Sequence, residues 1–421
     1  MCRLLVYLVA AASLAAQSSQ ANYDESKVPR YSLPDPLLLK EGEPVKDAAT
    51  WTGRRRPEIL AMYETLVYGR SPARPAKPNF EVVSVARDAL GGKAVRKLVT
   101  LYLGDRTAPR MNLLVYLPVR IKSAAPVFLG LSFNGIHTVA NDPGVPLAEV
   151  WMRDPSTKAW VKRTAAEGTR ASQAQQWQVE KILEAGYGLA VAYYGDIEPD
   201  FDGGMIYGVR PSYFRTGQSA PAADEWAAIA AWAWGLSCAM DYLERDHDVD
   251  ARRVAVFGHS RLGKAALWAG AMDTRFSLVI SNESGEGGAA ISRRLFGERT
   301  ADLNNRFPHW FDGNFRKYNG NEESMPFDSH MLLSLIAPRG LYVASAEEDR
   351  WSDPKGEFLG AAEASKVWAL FGRKGIGATE MPAVHQPVGE NVRYHIREGK
   401  HDVTAYDWEQ YLKFAGEQWS K

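Results

Sequence analysis

Short runs of hydrophobic residues recur along the middle and the end of the chain, and each has the length and composition of a buried strand. Polar turns and longer stretches with helical patterns separate these runs. Unbroken apolar strands that alternate with helices predict a mostly parallel sheet covered by helices on both faces. The runs cover residues 112–118, 126–133, 188–194, 254–257, 278–280, 341–345 and 392–396.

The clearest predicted helix covers residues 222–244, which are rich in Ala and Trp, and a second covers residues 176–185. No linker divides residues 57–421, so we expect one α/β domain with insertions, one of them at residues 141–170 near the mouth of the site. Residues 22–56 are polar and contain several prolines, as in an extended arm that wraps the domain. The fold class predicted is a three-layer α/β sandwich.

The N-terminus has the pattern of a secretory signal peptide. Arg3 precedes an apolar run from Leu4 to Ala16, which is too short to span a bilayer as an anchor. Ser19-Gln20-Ala21 has the small-x-small spacing of a cleavage site, and Ala15 or Ala16 is a second option. We predict a signal peptide over residues 1–21 and a secreted or periplasmic enzyme. Removal of Cys2 would leave Cys238 alone, without an internal disulfide, and it is expected to be a buried packing residue.

Composition excludes little else. Lys plus Arg and Asp plus Glu both number 50, so the net charge of zero gives no support for nucleic-acid binding. Thirteen Trp and 18 Tyr are many for 421 residues. They are explained by core packing or, in part, by a surface on which aromatic rings stack against sugars.

Residues 254–270 predict a strand, a sharp turn and a helix, with Ser260 at the turn. A nucleophilic serine in α/β-hydrolases occupies such a strand-to-helix elbow, flanked by small residues. Gly258 lies two residues before Ser260, but Leu262 replaces the usual glycine two residues after it, and Gly263 follows. The alternative is a Gly-Ser turn without chemistry. The flanking strand and helix favour the nucleophile, because free N–H groups at a helix N-terminus can bind an oxyanion.

A serine hydroxyl needs a base, and the base of this fold is a His that follows the last strands. His401 fits best among the eight His, since it follows the strand-like residues 392–396 and precedes a helical pattern over residues 405–418. His259 is expected to point away from the nucleophile. The others are too early, expected to be structural, or weaker alternatives; these are His137, His247, His309, His330, His385 and His395.

The third member of a triad is a carboxylate that orients the imidazole and stabilises its charged form. Glu283 follows the strand that ends at residue 280, and Asp349 follows the strand over residues 341–345. The later position is the commoner one in this fold, which favours Asp349. Spacing alone leaves both open.

The segment Gly258–Lys264 resembles the elbow of the glucuronoyl esterases, carbohydrate esterase family 15, whose pattern is Gly-x-Ser-Arg-x-Gly-Lys. The likeness extends over nearly the whole mature chain, although Ile136 stands where a polar residue is expected in many relatives. Further matching segments are 133–138, 226–236, 308–311, 326–330, 336–339 and 399–401. The resemblance implies hydrolysis of glucuronic or 4-O-methylglucuronic acid esters, including those between lignin alcohols and glucuronoxylan.

By position, the resemblance implies that Ser260 is the nucleophile, His401 the base and Glu283 the acid, with Asp349 as the alternative acid. Arg261 resembles the residue that stabilises the oxyanion. The implied contacts to the sugar hydroxyls are Lys264, Glu298 and Trp351, which without the family would be interpreted as a solvated helix residue, a surface charge and a packed ring.

Neither a metal nor another cofactor is expected, since the His spacing shows no motif such as H-E-x-x-H. We also expect a monomer without membrane attachment. Two other functions remain open: another serine hydrolase of this fold, such as an acetyl-xylan esterase or a peptidase, and a carbohydrate-binding protein with an inactive hydrolase fold.

Overall fold

The computed structural model describes residues 21–104, 108–120 and 123–420. Ten strands of the described chain form one sheet, and two more form a separate hairpin. In chain order the strands are β1 (Asn79–Asp88), β2 (Ala94–Tyr102), β3 (Arg110–Pro118), β4 (Ala125–Ser132), β5 (Glu149–Arg153), β6 (Trp160–Thr164), β7 (Gly188–Tyr193), β8 (Val249–His259), β9 (Leu278–Asn282), β10 (Gly340–Ala346), β11 (Val388–Gly389) and β12 (Val392–Arg397).

The order in the large sheet is β1-β2-β3-β7-β4-β8-β9-β10-β12-β11. The strands from β7 to β12 in this order are parallel, whereas β1, β2, β3 and β11 join antiparallel at the two edges. The prediction of a mostly parallel central sheet is therefore confirmed. The antiparallel strands β1 and β2 and the β5–β6 hairpin were not predicted, because their sequences lack the continuous apolar runs of the buried strands.

Helices cover both faces of the sheet, which confirms the three-layer arrangement. The helices are α1 (Ala48–Thr50), α2 (Arg56–Leu66), α3 (Ala89–Gly92), α4 (Ala174–Trp177), α5 (Val179–Glu184), α6 (Tyr194–Ile197), α7 (Ala228–Leu243), α8 (Arg261–Met272), α9 (Thr300–Arg306), α10 (Ser329–Ser334), α11 (Pro354–Ala369) and α12 (Ala405–Trp419). One hydrophobic cluster joins one face of the sheet to α2, α7, α8, α10 and α11, and a second cluster joins the other face to α5 and α12.

Alternation along the buried strands explains why both faces are covered. Val127 and Leu129 of β4 point into the first cluster, whereas Phe128 between them points into the second. Successive side chains of a strand face opposite sides of the sheet, so an unbroken apolar run needs helices on both. The carboxyl ends of the parallel strands then share one edge, where the loops of β4, β7, β8, β9 and β10 can meet.

Two predicted helices differ from those observed. Helix α7 begins at Ala228 rather than near residue 222, because Arg70 and Tyr68 hydrogen-bond the backbone of residues 224–227 and hold it outside the helix. The helix predicted over residues 176–185 is broken at Gln178, whose φ of 45° lies in the left-handed region. Cys238 is buried in α7, as expected.

The predicted N-terminal arm makes polar contacts with the body of the protein. The Asn22 carbonyl accepts the Gly297 N–H at 2.8 Å, and Glu25 forms ion pairs with Arg294 and Lys355. The predicted signal peptide lies outside the described residues except for Ala21. No helix in the described ranges combines the length and the hydrophobicity that crossing a bilayer requires.

Candidate active site

Ser260 lies at the turn between β8 and α8, half-buried at the carboxyl edge of the sheet. Its φ of 57° and ψ of −130° place a non-glycine residue in a strained conformation, as in the nucleophile elbow of α/β-hydrolases. The Ser260 N–H donates to the Asn282 carbonyl at 2.9 Å, which fixes the turn to the end of β9. Helix α8 begins at Arg261, so its first N–H groups have no acceptor within the helix and can serve an anion.

The two glycines of the elbow allow close approaches on either side of Ser260. A Cβ atom on Gly258 would lie 1.9 Å from the Leu262 carbonyl oxygen, so only glycine fits there. A Cβ atom on Gly263 would lie 3.0 Å from Cβ of Ser284, in the loop after β9. Leu262 is instead buried in the core at 1% exposure. Glycine is therefore needed at position 263, where the loop after β9 packs closely against α8, and not at position 262, where the side chain fills the core.

His401 lies beside the elbow, in the loop between β12 and α12, with its side chain 39% exposed. Its Nδ1 atom lies 2.6 Å from Oδ2 of Asp349 and 3.0 Å from Oε2 of Glu283. An ionised carboxylate can only accept, so Nδ1 of His401 carries a proton, and Nε2 is the nitrogen that gains a second proton when the ring becomes charged. The structure thus brings both sequence-predicted acids to the same imidazole nitrogen.

The two acids differ in what else they bind. Glu283, fully buried, also accepts from Arg397 Nη2 at 2.6 Å and from the Asp402 N–H at 3.1 Å. Burial raises the pKa of Glu283 to about 7, although His401 and Arg397 oppose the shift. Burial acts to raise the pKa of Asp349, but the hydrogen bond and charge of His401, together with a hydrogen bond from Ser352, outweigh it and the pKa of Asp349 is lowered. Asp349 is therefore the more strongly ionised of the two partners.

The two carboxylates favour the charged form of the His401 imidazole. Desolvation alone would lower the pKa of His401, but the hydrogen bonds and charges of Asp349 and Glu283 outweigh it and raise this pKa to about 10. The arrangement favours the imidazolium that forms when the ring removes a proton from a serine hydroxyl.

His259 packs against His401, with 4.4 Å between the ring centroids, so the expectation that it points away from the site was wrong. Its Nδ1 atom donates to Asn282 Oδ1 at 2.6 Å, and Asn282 Nδ2 donates to the Tyr411 hydroxyl at 2.9 Å. Burial lowers the pKa of His259 to about 3, which keeps this ring neutral beside the charged His401. Asn282 thus links the elbow at Ser260, the ring of His259 and helix α12.

Arg261, the residue after Ser260, is held by Asp200. Its Nη1 atom donates to Asp200 Oδ2 at 2.6 Å, and its guanidinium lies 5.0 Å from the centroid of the Trp310 ring. The same carboxylate accepts from Trp310 Nε1 at 2.6 Å, from His309 Nε2 at 2.8 Å and from the Tyr194 hydroxyl at 3.1 Å. These donors lower the pKa of Asp200 to about 2 despite its burial. A fixed cation therefore lies next to the elbow.

The chain is similar over almost its whole length to proteins that are known as esterases. A solved glucuronoyl esterase from Solibacter usitatus is 67% identical, with a TM-score of 0.90 over 94% of this chain and 100% of that one. The chain belongs to the glucuronoyl esterases of carbohydrate esterase family 15. A family 15 glucuronoyl esterase from Teredinibacter turnerae is 33% identical, with a TM-score of 0.80 over 95% of this chain and 92% of that one.

Two further comparisons agree with this family. The carbohydrate esterase MZ0003 of an unknown prokaryotic organism is 47% identical over 401 residues, which are 95% of this chain and 92% of that protein. A sequence model described as glucuronyl esterase, fungi, matches residues 221–372. This segment contains Ser260 and both acids, whereas His401 lies beyond it.

The three residues that the glucuronoyl esterase resemblance assigned to sugar contacts lie together. Lys264 Nζ donates to the Ser284 carbonyl at 2.6 Å and lies 3.9 Å from Oε2 of Glu298. The Glu298 N–H donates to the Trp351 carbonyl at 2.9 Å. Burial lowers the pKa of Lys264 and raises that of Glu298, although each opposes the shift of the other. Neither residue is solvated, so the interpretations as a surface lysine and a surface glutamate were wrong.

His259, Glu283 and His401 are also the described residues that could hold a metal ion, since their ligand atoms lie within 4.8 Å of one another. An ion at this point would compete with the hydrogen bonds of His401 and His259 to their present partners. The donor set therefore suits a hydrogen-bonded base better than a metal.

Sequence reasoning missed the residues that support Arg261. Tyr194 is the first residue of α6, and Asp200 lies in the loop after this helix. His309 and Trp310 lie in the loop after α9. His309 was expected to be structural, and the structure shows that it hydrogen-bonds the carboxylate that holds Arg261. The segment 308–311 already stood out in the family resemblance, and this was the signal that could have directed attention to it.

Proposed function

We propose that the chain hydrolyses esters of glucuronic acid and 4-O-methylglucuronic acid through a covalent intermediate on Ser260. The observation that supports this best is the position of His401, which lies beside the elbow with Nδ1 against two carboxylates. Relatives of the family carry the names glucuronoyl esterase and 4-O-methyl-glucuronoyl methylesterase.

In the first step, Oγ of Ser260 attacks the ester carbonyl carbon while Nε2 of His401 takes the hydroxyl proton. The carbonyl π electrons move to oxygen and form a tetrahedral oxyanion. Positive charge appears on His401 at the same time, and the carboxylates of Asp349 and Glu283 stabilise it. The nearby N–H and guanidinium of Arg261 stabilise the oxyanion, whose charge is absent from the ground state.

In the second step, the oxyanion collapses and the bond to the alcohol oxygen breaks. His401 returns its proton to that oxygen, so the alcohol leaves neutral and an acyl ester remains on Ser260. Water then attacks the acyl carbon with His401 again as base, and the uronic acid leaves as Ser260 regains its proton. Asp200 fixes Arg261 before the reaction, so that no reorganisation is needed when the charge develops.

Lys264, Glu298 and Trp351 are proposed to bind the sugar half of the ester. Lys264 offers N–H donors and Glu298 offers acceptors for sugar hydroxyls, and Trp351 offers an aromatic face. Lys264 and Arg261 flank the same Trp310 ring, at 5.8 and 5.0 Å from its centroid. The sugar contacts and the oxyanion cation therefore adjoin, as hydrolysis of a uronate ester requires.

The biological setting is proposed from the family resemblance and from the sequence. We propose that the natural bond is the ester between lignin alcohols and glucuronoxylan, and that the enzyme acts as a secreted monomer after loss of residues 1–21. Neither nucleic acid nor membrane is proposed as a partner. Sedimentation of the protein expressed without residues 1–21 tests the monomer, and a dimer would contradict it.

The test of the proposed function is hydrolysis of benzyl glucuronate compared with acetylated xylan and a peptide ester. We expect turnover of the glucuronate ester to exceed the others by at least about 10², which is the order that polar groups of a built site can discriminate. Ser260→Ala should abolish turnover, whereas Ser156→Ala, on an exposed turn, should leave it unchanged. Equal rates on acetylated xylan would favour an acetyl esterase. Binding without turnover in the wild type would favour an inactive hydrolase fold.

A further inference from the structure

A second cavity, of about 490 Å³, lies between the antiparallel part of the sheet and the β5–β6 hairpin. Its floor is apolar and includes the buried side chains of Leu113, Ile136 and Tyr193. Its walls carry side chains that can donate or accept hydrogen bonds, namely Thr100, Arg110, Asn112, Glu149, Lys162 and Asp196. The volume is within the range of about 300–1,000 Å³ that is usual for small-molecule sites.

Asp196 is the most unusual of these residues. Its side chain is only 9% exposed, yet one hydrogen bond reaches its carboxylate from the described chain, from the Asn112 N–H to Oδ2 at 3.3 Å. Lys162 Nζ lies 3.6 Å from Oδ1. Buried carboxylates normally have several close donors, and Asp200 nearby has four. The carboxylate oxygens of Asp196 can therefore accept further hydrogen bonds from a ligand in the cavity.

Burial raises the pKa of Asp196 to about 6, which agrees with this shortage of donors. The carboxylate is still mostly ionised at neutral pH. A ligand hydroxyl could supply a charge-assisted hydrogen bond that the protein itself does not provide.

The cavity also lies along the edge of the sheet that holds the elbow. Tyr193 ends β7 and Ile136 follows β4, and both strands run parallel to β8, which leads to Ser260. Strands in a sheet are spaced at about 4.8 Å, so β7 lies roughly 10 Å from β8 in the order β7-β4-β8. A ligand in the cavity would therefore be a neighbour of the active site and would not overlap with it.

The lining selects a class of ligand. Arg110 and Lys162 balance the formal charges of Glu149 and Asp196, so a neutral ligand fits better than an ion. Six polar side chains above an apolar floor exceed what one phenolic hydroxyl could use, whereas a pyranose offers several hydroxyls and an apolar ring face. We propose that this cavity is a second carbohydrate site, which binds a neutral pyranose with Asp196 as its central acceptor. The site does not depend on the chemistry proposed for Ser260.

The test is the binding of xylobiose, a neutral probe, measured by titration calorimetry with the full mature protein. We expect saturable binding to the wild type and to Ser260→Ala, since the cavity lies outside the elbow. Asp196→Asn keeps the shape but loses the charged acceptor, and it should raise Kd at least about tenfold, because hydrogen bonds to charged groups are stronger than those between neutral groups. Hydrolysis of benzyl glucuronate by this variant should keep the wild-type kcat/KM.

Two matched substitutions on the hairpin separate binding from a structural role. Lys162→Met removes a cation that lines the cavity and should also weaken xylobiose binding, whereas Lys158→Met, on the exposed turn of the same hairpin, should not. Absence of saturable binding to the wild type would overturn the proposal. So would equal affinity of the wild type and Asp196→Asn at unchanged melting temperatures. Tighter binding of vanillyl alcohol than of xylobiose at the same cavity would assign the site to an aromatic alcohol instead.

Discussion

The two sides of the elbow use carboxylates in opposite ways. On the side of His401, the proposed base, two carboxylates, Asp349 and Glu283, approach one of its nitrogens at 2.6 and 3.0 Å. On the side of Arg261, the proposed oxyanion cation, the single carboxylate of Asp200 accepts from four donors, one of which belongs to Arg261. One side therefore has a spare acceptor, and the other depends on a single one.

This difference predicts how each side responds to substitution. Loss of one acid beside His401 leaves a second acceptor for the imidazole N–H. Loss of the Asp200 charge weakens the one acceptor that Arg261, His309, Trp310 and Tyr194 share and turns one of its two acceptor oxygens into a donor, and buried donors without a good partner are costly. We therefore expect redundancy at the base and fragility at the cation.

Removal of both acids is the largest expected effect on the base side. Glu283→Gln together with Asp349→Asn leaves His401 without a carboxylate, and loss of the only acid of a triad lowers kcat by about 10⁴. We expect a loss of this order in the double variant, more than the product of the losses in the single variants. Steady-state kinetics of the three variants measures this coupling. Losses that simply multiply would contradict redundancy.

On the side of Arg261, a single substitution should be enough to lower kcat strongly. Asp200→Asn keeps the shape but removes the charge that holds Arg261, so kcat should fall by about 10² to 10³, the cost of losing one oxyanion donor. KM should change less, because the oxyanion exists only in the transition state. Asp202→Asn, on an exposed neighbour, is the matched control. A loss below tenfold would show that Arg261 is held equally well by its aromatic neighbours.

The same contrast explains what the sequence could predict. Ser260 belongs to a local pattern of strand, turn and helix, and His401 and both acids each follow a recognisable strand. No such local signal marks Asp200, because its donors come from three separate segments, around residues 194, 261 and 309–310. The buried parallel strands were likewise visible as apolar runs. Strands β1 and β2 were not, since polar and charged residues interrupt their apolar positions.

His259 shows a second limit of local reasoning. Its place next to Ser260 suggested a side chain directed away from the site, because successive residues of a strand point to opposite faces. The strained turn at Ser260 breaks this alternation, and the His401 loop then covers His259. Long-range packing of this kind cannot be read from spacing.

The single acid variants sharpen the comparison within the base side. Asp349 is closer to His401 and its pKa is lowered, whereas Glu283 is shared with Arg397 and has a pKa of about 7. We expect Asp349→Asn to lower kcat by about 10² and Glu283→Gln by about tenfold, both below the loss of about 10⁴ for a sole acid. A larger loss in Glu283→Gln would make Glu283 the principal acid.

The pH profiles of these variants separate charge from position. Both carboxylates raise the pKa of His401, so removing either charge should lower that pKa and extend activity to lower pH. The acid limb of kcat/KM should therefore move to lower pH in both variants, and further in Asp349→Asn, because Asp349 is ionised over the wider range. An unmoved limb would show that the substituted acid only positions the loop.

The smallest expected effect on kcat is that of Tyr411, which contacts His401 only through Asn282 and His259. Tyr411→Phe removes the hydroxyl that accepts from Asn282, while Asn282 keeps its bonds to His259 and to the Ser260 N–H. Loss of this hydrogen bond should lower the free energy of unfolding by about 1 kcal/mol. The elbow and the two acids are unchanged, so kcat should fall by less than about fivefold, an energy of the same order. Thermal unfolding and kinetics on benzyl glucuronate measure the two quantities. A loss of kcat comparable to that in Asp200→Asn would show that the base side, despite its two acids, depends on the ring of His259 beneath His401.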